Sequence, residues 1–168
     1  MAAAFLFAAP ALAQTGTAAA QLAFEMGDRL MLAIAFISIG IGMASSGYAL
    51  SISLSAYAAC GLDRRGAAFI PAVMPGSQGL YSFAIAFLMI NNVKGAWGDP
   101  QMLFKVTLAG LICGIPCYFS ALGQAKTAAA CIKAINNSQM DQGQALLATG
   151  VPELYALVGL AGGFLVMN

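Results

Sequence analysis

Glu153 is the residue whose position is hardest to explain without chemistry. It stands in Thr149-Gly150-Val151-Pro152-Glu153-Leu154-Tyr155-Ala156-Leu157, fifteen residues before the last residue, Asn168. As helix that distance is about 22 Å, which places the acid deep inside a hydrocarbon layer about 30 Å thick. An ionised carboxylate at that depth costs several kcal/mol, and such residues mark ion pathways or face partners. A helix end frayed into water, or a protonated structural acid, is the plain alternative. Pro152 cannot donate to the carbonyl one turn back, so it loosens the helix beside the acid.

Other oxygens recur at helical spacing. Met74, Ser77, Gln78 and Tyr81 fall on one helical face within Met74-Pro75-Gly76-Ser77-Gln78-Gly79-Leu80-Tyr81. Three of these side chains carry oxygen, and a lipid-facing Gln78 amide would go unsatisfied. Gln124 is a second amide in an apolar stretch. Two glutamines, a serine, a tyrosine and a carboxylate make an oxygen-rich pocket suited to a hard cation. The same groups could instead bond one another as interhelical glue. Lys126, two positions and about 200° beyond Gln124, is expected to face away and snorkel toward headgroups. Its rival reading is a buried ion pair with Glu153, which would leave no ion site. Lys133 reads as interfacial.

Several chemistries are excluded. The chain has no histidine, hence neither the usual general base nor the commonest metal ligand. Cys60, Cys113, Cys117 and Cys131 lack C-x-x-C spacing and sit among apolar residues, so they read as small packing residues rather than zinc or redox centres. A net charge of +1 without a basic cluster argues against nucleic acid.

The elements that position these groups follow from composition. Of 168 residues, 61% are hydrophobic and 8% charged, with a mean hydropathy of +0.84. Soluble domains are nearer half apolar and a quarter charged, so this is an integral membrane protein. Charge-free runs cover 30–62, 66–93 and 106–125, and a fourth, 142–168, is broken only by Glu153. With about 20 apolar residues needed per span, the expectation is four transmembrane helices near 30–59, 67–91, 102–134 and 144–167. The joints carry Asp63-Arg64-Arg65-Gly66, Lys94 to Pro100, and Asn136 to Asp141, whose Gly, Pro, Asn and Asp break helices. Trp97 fits an interfacial aromatic. Residues 1–29 read as a signal-like or peripheral segment: Ala11-Leu12-Ala13 resembles a cleavage pattern, but a basic leader is missing. That signal-like start favours both termini outside and both hairpin joints in the cytoplasm, since the loop positives themselves tie.

The chain also repeats. Gly40, Ala44, Gly47, Ser51, Ser55 and Ala58 step by 4, 3, 4, 4, 3, and Gly110, Gly114, Cys117, Ala121, Ala125 and Ala128 repeat those steps 70 residues later. Such spacing keeps one helix face small and lets backbones approach closely in lipid. Leu80-Tyr81 and Leu154-Tyr155 lie 74 apart, and Phe-Leu-x-x-Asn ends both halves. The organisation is therefore two copies of a helical hairpin, 30–91 and 92–168. The small faces suit the inner wall of a ring of many copies, or close packing within one monomer.

Gly40-Ile41-Gly42-Met43-Ala44-Ser45-Ser46-Gly47, Pro75-Gly76-Ser77-Gln78-Gly79-Leu80-Tyr81, Gly123-Gln124-Ala125-Lys126 and Pro152-Glu153-Leu154-Tyr155 resemble the four-helix rotor-ring proteolipid of V-type and V/A-type ATPases. The resemblance covers about residues 30 to 168. It implies an all-α membrane fold of two duplicated hairpins in a homo-oligomeric rotor ring, with the ion-binding carboxylate kept only in the second hairpin. Gly79 then stands opposite Glu153. It further implies a sodium site made by Glu153, Gln78, Gln124, the Ser77 hydroxyl and the Met74 carbonyl, with Tyr81 holding Glu153. The lysine after Gln124 fits the family pattern. The segment before residue 30 departs from the family's short terminus.

The implied mechanism couples ion flow to rotation. A bound cation cancels the Glu153 charge so that each copy can turn through lipid, whereas an empty ionised site must stay beside a stator subunit offering a positive side chain, by family analogy an arginine. Central-stalk subunits meet the ring on the cytoplasmic side. No phosphate loop or catalytic constellation is present, so the chain is a translocation subunit of an ATPase or ATP synthase, expected in a bacterial inner membrane. No organic cofactor is implied. The extra oxygens of Ser77, Gln78 and Gln124 favour transported Na+ over H+, because a proton needs only Glu153 and an acceptor. A stand-alone cation-coupled transporter and a purely structural scaffold are the rival classes.

Overall fold

The computed structural model describes residues 2–95 and 99–168, with side chains from residue 21 onward except at 23, 24 and 95. Trp97 lies outside the described residues. The described residues form α1 (Ala2–Ala58), α2 (Arg65–Val73), a 3-10 turn (Met74–Gly76), α3 (Ser77–Gly95), α4 (Pro100–Asn136), α5 (Gln142–Gly150) and α6 (Glu153–Met167). Among them there is no strand. The protein is an all-α membrane protein. Glu25–Ala58, Arg65–Lys94 and Pro100–Asn136 are each long and apolar enough to span, and α5 with α6 makes a fourth, broken span bent by 40°.

Three helix boundaries differ from those expected of the sequence. The helix expected near 30–59 continues N-terminally to Ala2, so that residues 2–29 are helical. Single glycines such as Gly16 and Gly27 cost only about 1 kcal/mol each and do not stop a helix. The span expected over 67–91 is broken into α2, the turn and α3, where Pro71 and Pro75, four residues apart, both lack a backbone donor. The span expected over 144–167 is broken at Val151-Pro152, beside the acid, where the proline predicts loosening.

Three charged residues at the joints close helix ends. Asp99 precedes Pro100 and accepts from the Gln101 amide at 2.9 Å. Asp141 and Gln144 form a reciprocal capping box. The Arg65 guanidinium donates to the Cys60 and Ala58 carbonyls at 3.3 and 3.4 Å, closing the end of α1. The two joints touch each other, since the Gly61 amide donates to Asn136 Oδ1 at 2.8 Å.

The core runs along the α1–α4 seam. A side chain at Gly110 would strike the Ala35 backbone, and one at Gly114 would strike Ser38. Gly110, Gly114, Cys117, Ala121, Ala125 and Ala128 are all buried against α1 and the other helices of the same chain. Their counterparts on α1 are not: Ala44, Gly47, Ser51, Ser55 and Ala58 are exposed, and nothing lies within 4 Å of a Cβ built at Gly40 or Gly47. The two ladders therefore do not form one shared wall. One closes the protomer and the other is left open. The four cysteines are buried and free, with Cys113 and Cys117 sulfurs 3.8 Å apart.

Candidate ion-binding site

The breaks in the second and fourth spans bring the oxygen-bearing side chains together. Glu153 is the first residue of α6 and is only half-buried. Its Oε1 accepts from the Tyr81 hydroxyl of α3 at 2.5 Å, and its Oε2 accepts from Gln124 Nε2 of α4 at 3.2 Å. The Tyr81 contact is a short O–H···O hydrogen bond and the Gln124 contact an ordinary, longer one. A carboxylate has about four lone-pair positions, so both oxygens keep capacity for a further ligand.

Behind the acid lies a sealed amide pair. Gln78, Gln124 and Thr149 are 0% exposed. Gln124 Nε2 also donates to the Thr149 carbonyl at 3.0 Å. Gln78 Nε2 donates to Gln124 Oε1 at 2.5 Å and to Ser120 Oγ at 3.2 Å. Ser120 in turn donates to the Pro152 carbonyl at 2.7 Å. One acceptor is left over: Gln78 Oε1 is buried and has no hydrogen-bond partner. An amide oxygen in that state costs a few kcal/mol unless a donor or cation meets it.

Of the sequence-selected residues, Glu153, Gln78, Gln124 and Tyr81 thus form one connected cluster across α3, α4 and α6. Ser77 and Met74 sit at the break between the turn and α3. There the Ser77 hydroxyl donates to the Met74 carbonyl at 3.1 Å, so these two oxygens are bonded to each other. Lys126 is exposed and lines a groove of about 550 Å³ with Tyr48, Ser45 and Tyr118, on a side of α4 away from Gln124. The ion pair with Glu153 is not formed; among the described residues the salt bridge is Arg64–Asp63, at 3.2 Å.

Sequence reasoning missed Ser120 and the carbonyls of Thr149 and Pro152. Ser120 had a legible signal, since it stands one helical turn before Gln124 on the same face. The carbonyls had none, because a backbone acceptor is not a residue type.

Comparison with known proteins gives the family. The model of the ATP synthase C-subunit family matches residues 107–166, the stretch that carries Ser120, Gln124 and Glu153. The V-type sodium ATPase subunit K of Enterococcus hirae is 30% identical over 138 residues, covering 82% of this chain and 88% of that protein. The A-type ATP synthase subunit K of Methanocaldococcus jannaschii is 26% identical over 147 residues, covering 84% of this chain and 64% of that protein. The chain accordingly belongs to the rotor-ring proteolipids of V-type and A-type rotary ATPases and ATP synthases.

Proposed function

We propose that this rotor protein transports Na+ on Glu153, with Gln78, Gln124, Ser77 and the Met74 carbonyl supplying further oxygens and Tyr81 latching the carboxylate. The observation that carries the reading is the buried, unpartnered Gln78 Oε1 within a network whose other polar groups are bonded. A cation beside Glu153 satisfies that oxygen and the carboxylate charge together. A proton on Glu153 satisfies the charge alone. The Enterococcus hirae relative is named as part of a sodium ATPase, which supports the same ion.

Mechanistically, the loaded site is neutral and can pass through lipid, while the empty one is an ionised acid that must be met by a positive side chain on a stator subunit. Many copies form a ring that is turned by, or turns, the central stalk. The chemistry of ATP takes place on other subunits.

Carbodiimides react with a protonated carboxyl group. They are expected to modify Glu153 at low pH, millimolar-scale NaCl is expected to slow that labelling, and Gln124→Leu is expected to abolish the protection. Labelling that ignores sodium at every pH removes the sodium assignment and leaves a proton-carrying ring.

A further inference from the structure

The hydrogen-bond chain at the site has a direction, and backbone carbonyls set it because they can only accept. The Pro152 carbonyl takes the Ser120 hydroxyl proton at 2.7 Å. The Ser120 oxygen is left with lone pairs, so the group facing it from Gln78 must donate, and Gln78 Nε2 does at 3.2 Å. At the other end, the Thr149 carbonyl and Glu153 Oε2 take the two hydrogens of Gln124 Nε2. Gln124 Oε1 must then accept, which it does from Gln78 Nε2 at 2.5 Å. Both hydrogens of the Gln78 amide are committed, and its oxygen is buried and unpartnered.

We infer that Ser120 is a positioning residue for cation selectivity: its hydroxyl, pinned by the Pro152 carbonyl, holds the oxygen end of the Gln78 amide toward the ion. This rests on the sodium reading above. Without that hydroxyl, one of the two groups fixing the amide is gone and the NH2 end can turn toward the cation, which it repels. Proton uptake by Glu153 uses neither end of Gln78, so Ser120 separates the two ions. The first half of the chain holds a comparison. Ser46 donates to the Gly76 and Pro75 carbonyls, at 2.8 and 3.1 Å, at the break of the second span. Gly79 packs against it, with a built Cβ 3.2 Å from Ser46 Oγ. Ser46 clamps a broken helix with no amide to orient.

The test measures labelling of Glu153 by dicyclohexylcarbodiimide in membranes holding the intact complex, across pH and NaCl concentration. Ser120→Ala is expected to raise the sodium needed for half-protection about ten-fold, the worth of one hydrogen bond near 1.4 kcal/mol. The pH midpoint of labelling without sodium is expected to stay put. Ser120→Thr and Ser120→Val compare a hydroxyl with a methyl at constant shape: Thr should keep the normal sodium requirement and Val should lose it. That pair decides alone where Ser120→Ala does not assemble. An unchanged sodium requirement in Ser120→Ala, equal requirements for Thr and Val, or a parallel shift of the pH midpoint overturns the inference. Absence of sodium protection in the unaltered protein removes the sodium reading itself, and the inference falls with it.

Discussion

At the residue scale the decisive contrast is between Glu153 and the groups that bond it. The carboxylate is half-buried, yet both oxygens are held, by Tyr81 at 2.5 Å and by Gln124 at 3.2 Å. A hydrogen bond to a charged group contributes roughly 1.5–3 kcal/mol. Tyr81→Phe keeps the ring and removes only the hydroxyl, so it should free Glu153 to turn outward. The expected outcome is carbodiimide labelling at least ten times faster at fixed pH and low sodium, with the ring still assembled. Labelling at the normal rate would show that Tyr81 is not the latch.

At the element scale, the two broken spans matter more than their apolar length. Prolines at 71, 75 and 152 withdraw backbone donors in mid-helix, and the inner serines Ser46 and Ser120 donate to carbonyls at the resulting breaks. The 40° bend between α5 and α6 puts Glu153 at a helix start, facing α3 and α4. Pro152→Ala restores a donor toward the Ala148 carbonyl and should straighten the span, drawing the carboxylate away from Tyr81 and Gln124. Sodium protection is then expected to weaken several-fold. Asp141→Ala supplies the contrast: losing its capping box costs about 1 kcal/mol, which should lower the thermal stability of the ring and leave sodium protection unchanged. If both variants alter protection equally, the bend has no special role at the site.

On the scale of the whole molecule, the unequal burial of the two small-residue ladders bears on assembly. Gly114 is pressed against Ser38 of α1 within the chain, whereas Gly47 faces open space. A ring needs an uncovered face on each copy for the next one to cover. Gly114→Leu should therefore damage the protomer, seen as loss of expressed, folded chain. Gly47→Leu should leave the protomer folded and abolish the high-mass ring on a mild-detergent gel. A normal ring from Gly47→Leu would exclude the open face of α1 from the contact between copies.

The sequence by itself determined the number of apolar spans, their joints and the acid, because each depends on local quantities. The helix limits and the break at Met74–Gly76 were not read from it. A run without charge is a run that lipid accepts, a Gly-Pro or Asn-Asp cluster is a place where a helix ends, and one glutamate in an apolar stretch is conspicuous wherever it is packed. The side chains of Gln78, Ser77 and Tyr81 were legible as one face by helical spacing alone. Tertiary structure decided the rest. Which of two equal ladders is covered depends on how α1 lies on α4, and no spacing carries that. Whether Lys126 pairs with Glu153 depends on which side of α4 meets α6 (the Gln124 side does). The role of Ser120 depends on a carbonyl from Pro152, 32 residues away in the chain, arriving at hydrogen-bond distance. Such a contact between distant backbone and side chain has no signature in residue type, because every residue carries the same carbonyl and only packing selects the one that is met.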